Sequence, residues 1–169
     1  LVSTISCCFV QGAQPLELTE TYKEHNVSFR YPKGMHLEEY PFVPGVGILA
    51  SGGCILVGYV DYHIMFIIWG KFPKVDAAAL AEKIEGLLEI IRKTTGLNIT
   101  TQGMVKDATV KGHIVKYIDA AGSYKGITGS GAFGIWYCDD SSRLFGLGAF
   151  KEQDGLTMFQ NYLGTFDCN

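Results

Sequence analysis

The sequence predicts an α+β domain, an antiparallel β-sheet flanked by helices in an α/β/α sandwich. Three observations carry this. Strand-like stretches come in runs instead of alternating one by one with helices, which favours an antiparallel sheet over a doubly wound one. One stretch, His63-Ile64-Met65-Phe66-Ile67-Ile68-Trp69, is apolar over a full strand length and so requires cover on both faces. Two amphipathic stretches, residues 77–95 and the series Leu156, Phe159, Leu163 and Phe166, supply helices to cover it.

The elements follow in order. Val27, Phe29 and Tyr31 alternate with Ser28 and Arg30 as in a strand, and Pro32-Lys33-Gly34 is expected to turn that strand into a hairpin with Met35-His36-Leu37. Residues 46–50 and 54–60 read as strands flanking a Ser51-Gly52-Gly53 turn. The apolar run from Ile64 to Trp69 is the central strand. A single helix over 77–95 is marked by Asp76 as N-cap, by Val75 and Leu80 as a hydrophobic staple, and by Gly96 as the stop. Its stripe of Leu80, Ile84, Leu87, Leu88 and Ile91 packs on the sheet. Strands follow at 97–105, 112–120, 128–138 and 143–150, and Asp154-Gly155 opens the final helix.

The chain has 169 residues, 47% apolar and 18% charged, which is enough for one domain with a substantial core. Its net charge of −3 and scattered Lys and Arg give no electrostatic footprint for nucleic acid. Residues 1–21 read as an N-terminal segment, the end of a trimmed signal, and residues 22–169 as a single domain. The apolar opening is too short to span a bilayer. Ser6 before Cys7 matches the end of a bacterial lipobox, with Thr4 where Leu is usual, so Cys7 is a candidate lipidation site. Asn26-Val27-Ser28 and Asn98-Ile99-Thr100 are glycosylation sequons compatible with secretion.

Five cysteines make an odd count. Cys138 ends a strand and Cys168 lies at the terminus, an out-and-back path that makes them the candidate disulfide and points to an oxidising compartment. Cys54 opens an apolar run and reads as a buried small hydrophobe. No Cys-x-x-Cys occurs, so neither a zinc knuckle nor a thioredoxin-type motif is supported.

The landmarks Phe29-Arg30-Tyr31-Pro32 with Gly34-Met35, Gly112-His113, the Phe145 strand and the closing Phe166-Asp167-Cys168 resemble the PsbP-like domains. That superfamily includes an extrinsic subunit of photosystem II and a nuclear Ran-release factor. Met35 stands where Trp is typical. The resemblance spans residues 22–168 and rests on apolar and turn positions, so what it implies is a fold and a secreted or lipid-anchored domain that binds or assembles. It carries over no catalytic residues.

Gly129-Ser130-Gly131-Ala132-Phe133-Gly134 matches G-x-G-x-x-G but leads into Ile135-Trp136-Tyr137, a strand, where a dinucleotide site needs a helix N-terminus. Asp61-x-His63 places two weak candidate metal ligands on one face of a strand, with His36 or His113 as distant additions and no third ligand at a suitable spacing. No Gly-x-Ser-x-Gly elbow occurs. Glu38-Glu39 and Asp139-Asp140 are adjacent, so on strands they point to opposite faces and cannot work as an acid/base pair. The expectation is a non-enzymatic extracytoplasmic binding or assembly module. It needs no cofactor, meets another protein at the cell surface, and touches membrane only through a lipid anchor. The alternative is a small-ligand-binding or hydrolytic protein with its site on the open sheet face.

Overall fold

Ile64, Phe66 and Ile68 point to one side of their strand and Met65, Ile67 and Trp69 to the other, and each set lies in a separate buried apolar cluster. Around this strand the computed structural model builds an antiparallel α+β fold; it describes residues 17–42 and 51–167. In chain order the strands are β1 (Glu20–Glu24), β2 (Val27–Tyr31), β3 (His36–Phe42), β4 (Ser51–Val60) and β5 (His63–Lys71). After helices α1 (Ala77–Leu80) and α2 (Ile84–Thr95) come β6 (Asn98–Val110), β7 (His113–Tyr124), β8 (Ile127–Cys138) and β9 (Arg143–Lys151). Helix α3 (Gly155–Thr165) follows. The main sheet has seven strands in the order β3-β4-β5-β9-β8-β7-β6, and every neighbouring pair is antiparallel.

One cluster joins Ile64, Phe66 and Ile68 to Leu80, Ile84, Leu87, Leu88 and Ile91 of α1 and α2. The other joins Met65 and Ile67 to Met158, Phe159, Tyr162 and Leu163 of α3 and to Val27 and Phe29 of β2. Burying each Leu, Ile or Phe contributes about 1.5–3 kcal/mol, so these two contacts dominate the stability of the core. Just past α3, Phe166 sets its ring edge on Trp136 at 4.9 Å and on Phe145 at 5.2 Å. Asp167 then exchanges two backbone hydrogen bonds with Ser28, of 3.0 and 2.7 Å, clamping the end of the chain to the β1–β2 hairpin.

Four local expectations are corrected. Strand β2 does not form a hairpin with β3; it pairs with β1 in a separate two-stranded sheet, while β3 pairs with β4. Only Tyr22 of β1 is buried, so that strand carries no apolar alternation to reveal it. Ser51-Gly52-Gly53 is no turn but the start of β4, with a register shift between Ser51 and Gly53, the bulge that glycines permit. The single helix of 77–95 is interrupted by a 3-10 turn, Ala81–Lys83, none of whose residues is buried; Asp76 caps only through its backbone carbonyl. Gly96 does close α2, at φ 74°. Strands β6 and β7 run longer than the sequence indicates. The expected strand at 46–50 lies outside the described residues, as do Cys7, Cys8 and Cys168.

The glycine-rich stretch 129–134 lies inside β8, as its continuation into strand-forming residues indicates. A methyl group on Gly131 would lie 1.9 Å from the carbonyl oxygen of Ala149, and one on Gly155 would lie 1.6 Å from that of Ser130. The glycines therefore let the first residue of α3 rest on β8. Gly131→Ala is expected to cost about 3 kcal/mol in chemical denaturation, because backbone atoms cannot step aside. Gly164→Ala in α3, with nothing within 4 Å, is expected to leave stability unchanged or raise it by up to about 1 kcal/mol. Equal stabilities for the two variants would rule out the close approach.

Candidate binding surface

Strand β6 is one edge of the sheet, and its ladder with β7 is broken between Gln102 and Lys106. Gly103 takes φ 78°, which an L side chain resists, and the chain bulges outward through Met104 and Val105. Met104 is 83% exposed, the highest value among the large apolar side chains described, and Val105 is 39% exposed. Lys106 and Asp107 just beyond pair across to Asp119 and Lys116 of β7 at 2.6 and 2.7 Å. These cross-strand pairs hold the flank of the bulge in register. The opposite edge, β3, is blunted by Pro41, which lacks a donor N–H, and by Glu38 and Glu39. The two edges differ: one displays apolar side chains beside unpaired backbone, the other is charged and interrupted.

A second feature joins β3 to the tip of the β7–β8 hairpin. Glu38 accepts hydrogen bonds from the hydroxyls of Tyr40 and Tyr124, both at 2.7 Å, from Tyr59 at 3.0 Å, and from the Lys125 ammonium. The Tyr40 and Tyr124 hydroxyls also touch each other at 2.6 Å. The Lys125 ammonium lies 4.6 Å from the centre of the Tyr59 ring and 5.3 Å from that of Tyr124, a cation held over aromatic faces. Lys125 first, then Tyr124 and Tyr40, hold the Glu38 carboxyl down to about 2. Burial, reinforced by Tyr40 and Glu38, pushes the Tyr124 hydroxyl up. Beside this network runs an open groove of about 480 Å³, lined by His36, Tyr59, Asp61 and Lys125 among others.

At the other end of the sheet a smaller cleft of about 190 Å³ lies over Trp136, Leu163 and Phe166, with Lys111, His113, Asp140 and Asp167 around it. Lys111 and Asp167 form an ion pair at 3.4 Å, and His113 Nε2 lies 3.9 Å from Cys138 Sγ. This cleft brings together His113, the Asp139-Asp140 turn and the end of α3, which sequence reasoning kept apart.

The residues singled out from sequence fall in different places. Asp61 sits in the exposed turn between β4 and β5, whereas His63 is fully buried on the α3 side of β5. His63 Nε2 lies 2.9 Å from the Tyr162 hydroxyl, and Tyr162 in turn donates to Met35 Sδ at 4.0 Å. The other ring nitrogen, Nδ1, has no hydrogen-bond partner among the described residues. Desolvation, aided by the nearby Lys151 charge, pushes the imidazole down to about 4. Cys54 is the free cysteine among the described residues, and burial pushes its thiol up to about 11, so it is an inert core group. Cys138 is buried at the end of β8. The β6 bulge and the Glu38 network escaped the sequence reading; Gly103 was the one local signal for the former, and the latter joins residues 86 positions apart.

Seven antiparallel strands, a separate hairpin against one face and a terminal helix clamped to that hairpin define a PsbP-like α+β fold. The chain superimposes on the solution structure of cyanobacterial PsbP (CyanoP) from Synechocystis sp. PCC 6803 with a TM-score of 0.58, covering 94% of this chain and 96% of that one. The two sequences are 8% identical, so the likeness is one of fold. No family model and no curated protein matches the sequence.

Proposed function

We propose that the chain is a non-enzymatic binding or assembly module of the PsbP type, acting outside the cytoplasm and presenting the β6 edge to a partner protein. The observation that carries this is Met104, 83% exposed on a bulge of an edge strand. An exposed large apolar side chain beside unpaired backbone costs solubility unless a partner covers it. Strand edges are a common docking mode, in which main-chain hydrogen bonds give affinity and alternate side chains give selectivity. A lipid anchor at Cys7 and a Cys138–Cys168 bridge belong to the same reading and fit an oxidising compartment.

The test is site-specific photocrosslinking in native membranes, with a benzophenone side chain placed at position 104 or, on the exposed face of α2, at position 93. A discrete adduct from 104 and none from 93 is the expected result. No adduct from 104, or the same adduct from both, would remove the reading. A second reading, a small-ligand site, is favoured by one observation: the cleft of about 190 Å³ places an imidazole, a lysine and two carboxylates around an aromatic floor.

A further inference from the structure

We propose that Glu24, His25 and Glu39 form a binding site for a divalent transition-metal ion of the zinc type, independent of the β6 edge. Glu24 ends β1, His25 opens the two-residue turn to β2, and Glu39 lies on β3. Both turn residues, His25 at φ 54° and Asn26 at φ 56°, are left-handed, and this turn carries the imidazole toward β3. One ligand atom from each of the three residues lies within 4.8 Å of the others, and His25 Nε2 is 3.7 Å from Glu39 Oε2. Ligands at about 2.0–2.2 Å from a shared zinc ion stand roughly 3–4 Å apart, so rotations of exposed side chains by a fraction of an ångström close the site.

Groups outside the triad hold the donors in place. The Tyr22 hydroxyl donates to Glu39 Oε1 at 2.8 Å, which leaves Oε2 toward His25. Arg143 Nη1 donates to the His25 carbonyl at 2.7 Å and fixes the turn, while the His25 ring rests 5.9 Å from Trp69. Outer partners of this kind orient metal ligands. Among the described residues no Lys or Arg forms an ion pair with Glu24 or Glu39, and His25 is the one ion-pair partner of Glu39. Two carboxylates with one imidazole suit zinc or cobalt better than magnesium or calcium, which prefer oxygen alone. The outward side is open to solvent for a further ligand.

The experiment uses the full chain, stripped with a chelator and with its free thiols alkylated, titrated calorimetrically with Zn²⁺ and with Mg²⁺. One saturable Zn²⁺ site is expected, weakened at least tenfold by His25→Ala and by Glu39→Gln and unchanged by His36→Ala. Glu24→Gln, at an exposed position, repeats the test should Glu39→Gln fail to melt cooperatively. Co²⁺ bound at His25 is expected to quench Trp69 emission in the wild type and not in His25→Ala. No saturable Zn²⁺ heat, wild-type affinity in His25→Ala, or equal affinity for Mg²⁺ overturns the assignment.

Discussion

Acidification from neutrality to about pH 4 is expected to remove about 3 kcal/mol of folding stability through His63 alone. The folded protein holds this imidazole neutral down to about 4, because it is desolvated between β5 and α3 with Lys151 nearby; the unfolded chain takes up the proton near 6.5. Between those values the unfolded state binds more protons than the native state, so stability falls as pH falls. The contribution is whole above about 6.5 and gone by about 4, each pH unit of the interval being worth about 1.4 kcal/mol. The groups that face the ring are Tyr162 in the core and Tyr62 toward solvent, with the Lys151 charge nearby; no carboxylate is among them to favour the imidazolium. His63→Gln has no proton to gain, and urea denaturation across this range should show its slope flattened. Identical slopes for the variant and the wild type would refute the argument. Glu38 acts in a separate, lower window: its contribution stands above about 4.5 and is lost as pH falls toward about 2.

Reduction of the proposed Cys138–Cys168 bridge is expected to cost roughly 3–4 kcal/mol, the loop-closure entropy of about thirty residues. The expectation is motivated by neighbouring residues. Trp136 and Phe166 meet at 4.9 Å, Cys138 lies two residues beyond the first and Cys168 two beyond the second. Asp167 also lines the same cleft as His113 and Asp140, which flank the end of β8. Thiol titration of denatured, unreduced protein decides the matter. At most three free thiols are expected of the five cysteines, whereas five exclude the bridge. Peptide mapping then identifies the joined pair.

The core was legible where one residue type repeats over a strand or a helical turn. The run from Ile64 to Trp69 and the α2 stripe declare burial without reference to anything distant, and Gly96 marks its own stop. Glycine was read less well because its meaning depends on what lies across from it. Gly52-Gly53 looks like a turn until β5 is present to pair with Gly53, whereas Gly129 and Gly131 were recognised because strand formers follow them. The surface features were hidden for a different reason. Glu38 is unremarkable until Tyr124 and Lys125 arrive from the far side of the sheet, and Glu39 becomes a candidate ligand only when a hairpin that alternation does not reveal sets His25 beside it. His63 was placed on a strand correctly, but its inward orientation follows from α3 and not from its own neighbours in sequence.

The strand order carries a kinetic consequence. The sheet consists of two meanders, β3-β4-β5 and β9-β8-β7-β6, each built from hairpins between successive strands, and they meet along one seam where His63 faces Lys151 and Lys71 faces Arg143. Every other ladder of the sheet is local, so loop-closure entropy concentrates in the β5–β9 seam, the slowest contact to search for. During synthesis β5 emerges long before β9, and its six apolar residues then form an uncharged, β-prone edge with no strand to pair beside it. The segment that makes the finished core most secure is therefore the nascent chain's principal aggregation hazard, and early docking of α1 and α2 over Ile64, Phe66 and Ile68 shields one of its faces while it waits.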